Sequence, residues 1–262
     1  DLPSTSRRQR QMCIRDRIHR LLDSVEEDRI CTVGVNMGFG GLIYGASEMK
    51  KQADVDGKPI AWITAARCGD ERLADMVPKA AKKGNFVWLL DATANDPVHA
   101  VSLAKANPQN AFGLLADPAA LDDACVNALT ACRNLVVMPL LQTPELTAEA
   151  CRAARRLKAQ KMFYALTVLV DDDTVDEVTQ DDWLESIAQE TLFCMCARKP
   201  GISAESSHKL RRSIVDGRME TGKPVLLLDW DGDVNYLNNR ISEHMTFGSV
   251  LAEGETFPLQ LG

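Results

Sequence analysis

Histidine is scarce in this chain of 262 residues: there are four, at positions 19, 99, 208 and 244. None is spaced as H-E-x-x-H, which excludes a zincin. No apolar run approaches the roughly 18–20 residues of a membrane span. The longest, residues 135–141, already contains Pro139. The first residues are basic and polar, without the apolar segment of a secretory signal. There is no C-x-x-C, no repeat of solenoid length and no low-complexity linker. Gly38-Phe39-Gly40-Gly41 lacks both a lysine and a strong strand before it, so it does not read as a phosphate loop. What is there suits a single large α/β domain. Hydrophobic residues make up 45% and charged residues 26%, enough for a packed core.

Residues 1–17 stand apart. Gln11-Met12-Cys13-Ile14-Arg15-Asp16-Arg17 resembles the translated end of a transposase adapter used in DNA library preparation, so this stretch is expected to be a non-native tail and the chain a metagenomic fragment. It carries five arginines against Asp1 and Asp16, so the remainder stands at −10 where the whole chain is −7. An acidic body without a basic stripe argues against nucleic acid and anionic membranes as partners. Beyond residue 17 seven cysteines remain, at 31, 68, 125, 132, 151, 194 and 196. An odd number without a secretory signal reads as free thiols in a reducing cytoplasm.

The body alternates. Apolar runs of strand length fall at 59–64, 86–90, 111–115, 135–141, 162–170, 192–195 and 225–230. Segments of helical periodicity lie between them at 70–83, 97–106, 121–132, 147–159, 180–189 and 203–221. Asp70 and Thr147 are placed to cap helices, and Thr179 with Asp182 forms an S/T-x-x-D start. Strand and helix in regular alternation imply parallel strands joined by crossover helices. Near-continuous apolar strands are expected where helices cover the sheet. The fold class is therefore α/β, a full or partial (β/α) barrel with outer helices, or an open doubly wound sheet. In both, a site belongs at the carboxyl ends of the strands.

Those ends hold little dedicated chemistry. No nucleophile has an evident base and no three-ligand metal cluster is visible. Cys68 could be a residual metal ligand or a reactive thiol with its pKa lowered by Arg67; the alternative is a partly buried loop thiol. Cys194 and Cys196 alternate onto one strand face, as a soft-metal pair or as packing. Cys125 and Cys132, seven apart on a helix, read as core. Asp229-x-Asp231-x-Asp233 has carboxylates at calcium-loop spacing without the glycine or the distal glutamate of an EF-hand, so a polar turn is the competing reading. Asp171–Asp173 reads as a solvated loop. His244 is the histidine best placed near the top face.

The order of segments from about Val33 to Leu259 resembles a radical SAM protein with a C-terminal extension. The words that carry this are Val35-Asn36-Met37-Gly38-Phe39, Leu42-Ile43-Tyr44-Gly45, Pro59-Ile60-Ala61-Trp62-Ile63 and Asn107-Pro108-Gln109-Asn110-Ala111-Phe112, with Asp176-Glu177-Val178-Thr179, Lys223-Pro224-Val225, Tyr236-Leu237-Asn238-Asn239-Arg240-Ile241 and Ala252-Glu253-Gly254-Glu255 further on. The resemblance implies a partial (β/α) barrel of radical SAM type, with a helical lead-in at 18–58, a barrel core at 59–190 and an extension of strands and a helix at 191–262.

The functional motifs depart from that family. Its C-x-x-x-C-x-x-C, which holds a four-iron four-sulfur cluster whose open iron takes S-adenosylmethionine, is reduced to Cys68. G-G-E-P is replaced around Asp91, T-N-G-T by Ala116-Asp117-Pro118-Ala119, and S-L-E-G by Leu140-Leu141-Gln142-Thr143. The extension's C-I-A-G-G reads Arg240-Ile241-Ser242-Glu243-His244, and its G-D-x-x-P-C ends in Leu259. Asp91, Asp117 and Gln142 inherit pocket positions only through the resemblance; Asp229 and His244 complete the pocket candidates. One thiolate cannot hold a four-iron cluster. The expectation is a cluster-free, non-catalytic scaffold with no cofactor, binding a small ligand or a partner, either an active paralogue or a second copy. The alternatives are an active radical SAM enzyme with cluster and S-adenosylmethionine, or a metal-free barrel enzyme.

Overall fold

The computed structural model describes residues 19–219, 224–243 and 247–259. Eight parallel strands form one sheet: β1 Ile63–Arg67, β2 Val87–Ala92, β3 Ala111–Ala116, β4 Leu135–Leu141, β5 Leu166–Val170, β6 Phe193–Arg198, β7 Leu226–Asp229 and β8 Gly248–Val250. Their spatial order is β7-β6-β5-β4-β3-β2-β1-β8. The last strand thus returns to pair with the first, while β7 and β8 remain the two sheet edges among the described residues. The result is a partial (β/α) barrel with parallel strands and outer helices.

Strand alternation builds two apolar layers. Ile63 and Ala65, Val87 and Leu89, Leu115, Met138 and Leu140, Leu169 and Met195 point inward and pack on one another. Ala66, Trp88, Leu90, Leu114, Leu135 and Val137 point outward under the helices. Leu166, Val168, Cys194 and Cys196 do the same on the far half of the sheet. Both faces are buried, which is why the strands read as near-continuous apolar runs.

The helices follow the sequence periodicity with local corrections. A long helix, α1 (Glu27–Asp56), precedes the sheet. Then come α2 (Leu73–Ala81), α3 (Ala100–Ala106), α4 (Asp123–Leu129), α5 (Ala148–Ala159), α6 (Val175–Val178), α7 (Asp181–Ala188), α8 (Ala204–Met219) and α9 (Tyr236–Ile241). Thr147 caps α5 as expected, its hydroxyl accepting from the Ala150 N–H at 3.1 Å. Ala150, Ala153, Ala154 and Leu157 form its buried stripe. The expected cap at Thr179 is not made: α6 ends there, Thr179 donates back to the Asp176 carbonyl, and Gln180 precedes α7 without a side-chain cap.

Three boundaries differ from the sequence reading. The first strand begins at Ile63 instead of residue 59, because the Trp62 and Ile63 N–H groups go to Ser242 Oγ (2.7 Å) and Asn238 Oδ1 (3.1 Å) at the end of α9. The run at 162–170 becomes a strand only at Leu166, after a single bridge at Tyr164. The strands after residue 190, β6 and β7, continue the same sheet, and a short β8 that the sequence reading did not include is added to its other edge.

α1 lies across the amino-terminal ends of β1 to β4. Asn36 Nδ2 donates to the carbonyls of Pro108 (2.8 Å) and Asn110 (2.9 Å). The buried Arg29 donates to the carbonyls of Cys132 (2.5 Å) and Thr130 (2.8 Å). The middle of the helix, Val35–Gly45, is wound as a π-helix and contains four glycines. Its barrel side is bare enough for Gly45 to meet Gly84, where a Cβ on either glycine would run into the other's carbonyl oxygen. By length and composition α1 could cross a bilayer. The reason is an uncharged stretch from Ile30 to Ser47, broken up by glycine and polar residues, which a search for continuous apolar runs passes over.

Candidate functional site

Period-two alternation carries the inward faces of the strands into charged residues at their carboxyl ends. Ile63 and Ala65 are followed on the same face by Arg67, and Val87 and Leu89 by Asp91. The two are register partners, and Arg67 Nη1 reaches Asp91 Oδ2 at 2.8 Å. Asp91 is 1% exposed. Its other oxygen accepts from the N–H (2.9 Å) and hydroxyl (2.6 Å) of Thr93. Arg67 Nη2 also lies 3.4 Å from Glu255, whose second oxygen accepts from the Ala252 N–H. After β8 the chain therefore folds back over the mouth, and Phe257 and Leu259 enter the inner core.

Across the mouth, Asp171 after β5 pairs with Lys199 after β6 at 2.7 Å. The Lys199 ammonium, with the Thr174 hydroxyl, pulls the Asp171 carboxyl down to about 2. A groove of about 420 Å³ opens at the rim beside Arg67; Asp70, Arg72, His99 and Glu255 line it.

Cys68 borders the rim groove, but its side chain turns to the outer, helix-covered face of the sheet. It is 1% exposed and packs among the outer apolar residues under the helices. Burial pushes its thiol up to about 12. The expected lowering by Arg67 does not occur, because adjacent strand residues point to opposite faces and the guanidinium is spent on Asp91. Among the described residues no three histidine, cysteine or acidic side chains come together as a metal site. The residues present thus do not fit a four-iron cluster, which needs three thiolates on one side of the opening.

The other candidates are dispersed. Asp117 is exposed and caps the turn Pro118–Ala120, accepting from the Ala119 N–H at 2.8 Å. Gln142 is exposed beyond β4. His244 lies outside the described residues. Asp229 is fully buried in an arginine network after β7. Arg198 donates to it at 2.5 and 3.2 Å and Arg211 at 3.3 Å. Arg198 also holds Asp231 (2.9 Å), and Arg211 (2.7 Å) and Arg218 hold Asp233. The arrangement at calcium-loop spacing is thus a polar turn whose three carboxylates are neutralised by three arginines, with the Asp233 carboxyl held well below its ordinary range by Arg218 and Arg211 against the opposing effect of burial. Asp171–Asp173 form the expected solvated loop, in which Asp172 and Asp173 are exposed and Asp172 accepts from Ser203 just before α8. Cys194 and Cys196 do share one face, the outer one, and Cys132 lies past the end of α4 but in the same outer core as Cys125.

Sequence reasoning missed Glu255, Lys199 and the arginines of the β7 network. Alternation from the core residues Met195 and Ala197 could have placed Lys199 at the mouth. Nothing local marks Glu255, which arrives from the end of the described chain.

No protein-family model and no curated protein matches the sequence. Among solved structures, the chain is similar to Streptococcus suis SuiB, with a TM-score of 0.53 at 8% identity over 70% of this chain and 53% of that one. For SuiB bound to S-adenosylmethionine the TM-score is 0.52, again at 8% identity, over 70% and 54%. The likeness is one of fold: a partial (β/α) barrel built on one parallel sheet. The chain spans about half the length of the SuiB structures it matches.

Proposed function

We propose that this radical-SAM-type barrel works without an iron–sulfur cluster, as a non-catalytic scaffold that binds a partner or a small ligand at its mouth. The observation that carries this reading is the end of β1. One thiol is present there and it faces the helix layer; the inward position beside it is Arg67, tied to Asp91 and Glu255. A nucleophile or general base needs a free, positioned group, whereas both Asp91 oxygens already accept, one from Arg67 and the other from Thr93. The rim groove carries both signs of charge, with Arg67 and Arg72 beside Asp70, Asp96 and Glu255. That lining suits a polar or zwitterionic ligand, or a polar segment of an active paralogue.

The test is anaerobic reconstitution of the full chain with iron and sulfide, followed by iron analysis and calorimetry with S-adenosylmethionine. The expected result is neither stoichiometric iron nor cofactor binding. About four irons per chain with absorbance near ~400 nm, together with cofactor binding, would overturn the reading in favour of an active radical SAM enzyme.

A further inference from the structure

We propose that the solvent side of α1 is a homodimer interface, two copies packing bottom to bottom about a two-fold axis near Phe39. This inference is independent of what the mouth binds, since α1 covers the opposite end of the barrel.

One side of α1 is fastened to the barrel through Arg29, Asn36, Gly45 and Met49. The other presents Val35 at 59%, Phe39 at 60% and Ile43 at 65% exposure, with Leu42 beside them. Gly34 and Gly38 lie between these side chains, and a Cβ added at either would meet nothing within 4 Å. Four large apolar side chains exposed together on one helix face form the kind of contiguous patch that marks an interaction surface.

Its character favours a second copy of itself. A two-fold axis brings each group near its own equivalent, so a charged face would oppose itself. Here no charge occurs from Ile30 to Ser47. The face also carries both halves of a fit: projecting Phe39 and Ile43, and the bare backbone of Gly34 and Gly38, where small residues let helices approach closely. A lipid surface fits less well. Glu26, Glu27 and Asp28 outnumber Arg29 at one end of the helix, Glu48, Asp54 and Asp56 balance Lys50, Lys51 and Lys58 at the other, and the chain carries −7 overall, so neither flank is basic. Anionic headgroups attract basic flanks, not these. The hydrogen bonds of Asn36 and Arg29 also hold α1 against the barrel.

The test is sedimentation velocity on the full chain across the micromolar range. Wild type is expected to dimerise. Phe39→Glu and Phe39→Lys, each alone, are expected to weaken the dimer by about tenfold or more, as for a central interface aromatic. Their far-UV circular dichroism should match wild type, since Phe39 is exposed. An equimolar mixture of the two variants should dimerise again. The proposal fails if wild type is monomeric throughout, if Phe39→Glu dimerises as wild type does, or if the mixture stays monomeric. Flotation of wild type, but not Phe39→Glu, with phosphatidylcholine vesicles in place of self-association would assign the face to lipid and overturn the dimer.

Discussion

Arg198 donates to Asp229 at 2.5 Å in a site where both side chains are nearly sealed from water. The aspartate ends β7 and the arginine ends β6, so the pair ties the last two strands of this half of the barrel together. A buried carboxylate is costly unless paired, and removing one partner of a buried pair strands the other. Asp229→Ala leaves Arg198 and Arg211 facing each other without their shared carboxylate. It should lower unfolding free energy by about 3–5 kcal/mol, read from urea denaturation. A loss under ~1 kcal/mol, the range of an exposed pair, would show that the network is solvated.

Two glycines are expected to respond in opposite directions. Gly45→Ala places a Cβ against the Gly84 carbonyl and should destabilise by about 1–3 kcal/mol despite alanine's better helix propensity. Gly217→Ala in α8 meets nothing within 4 Å and should stabilise by up to ~1 kcal/mol. Thermal or urea melts of the two variants settle the contrast; equal effects would refute the close approach of Gly45 and Gly84.

Thiol accessibility offers a check on Cys68. Among the described cysteines Cys31 is exposed, whereas Cys68, Cys125, Cys132, Cys194 and Cys196 are buried. A thiol pushed up to about 12 holds almost no thiolate at neutral pH. Brief maleimide treatment with peptide mass mapping should label Cys31 first and Cys68 only in denaturant. Fast labelling of native Cys68 would contradict its place in the outer core and revive it as a ligand or nucleophile.

Acid stability should depend on the mouth. The Asp171 carboxyl is lowered from 3.8 to about 2 by Lys199 and Thr174. A depressed folded-state pKa contributes stability that is fully present above the unfolded value and is lost as pH falls through the folded one. Wild type should therefore lose urea resistance between about pH 4 and pH 2, beyond the general acid loss. Lys199→Gln should be less stable at neutral pH and flatter across that window. Parallel pH profiles for the two proteins would show that the pair contributes nothing.

The sequence by itself determined the alternation of parallel strands and crossover helices; the choice of a partial barrel over an open sheet came with the pairing of β8 on β1. Apolar runs such as 135–141 and amphipathic segments such as 147–159 reveal strand and helix because backbone periodicity decides which side chains share a face. The cap at Thr147 was legible for the same reason: it depends on neighbours three residues apart. The absence of any C-x-x-C or C-x-x-x-C-x-x-C spacing was legible as a local pattern too. Only the tertiary structure decided what the polar residues do. That Arg67 turns to Asp91 and away from the adjacent Cys68, that Glu255 returns to the mouth, and that Asp229 meets Arg198, Arg211 and, through its loop, Arg218 are contacts between residues distant in sequence. So is the meeting of Gly45 with Gly84, which leaves the opposite side of α1 as the exposed apolar face. Such pairings are set by how the strands and helices pack, and no window of sequence contains both partners.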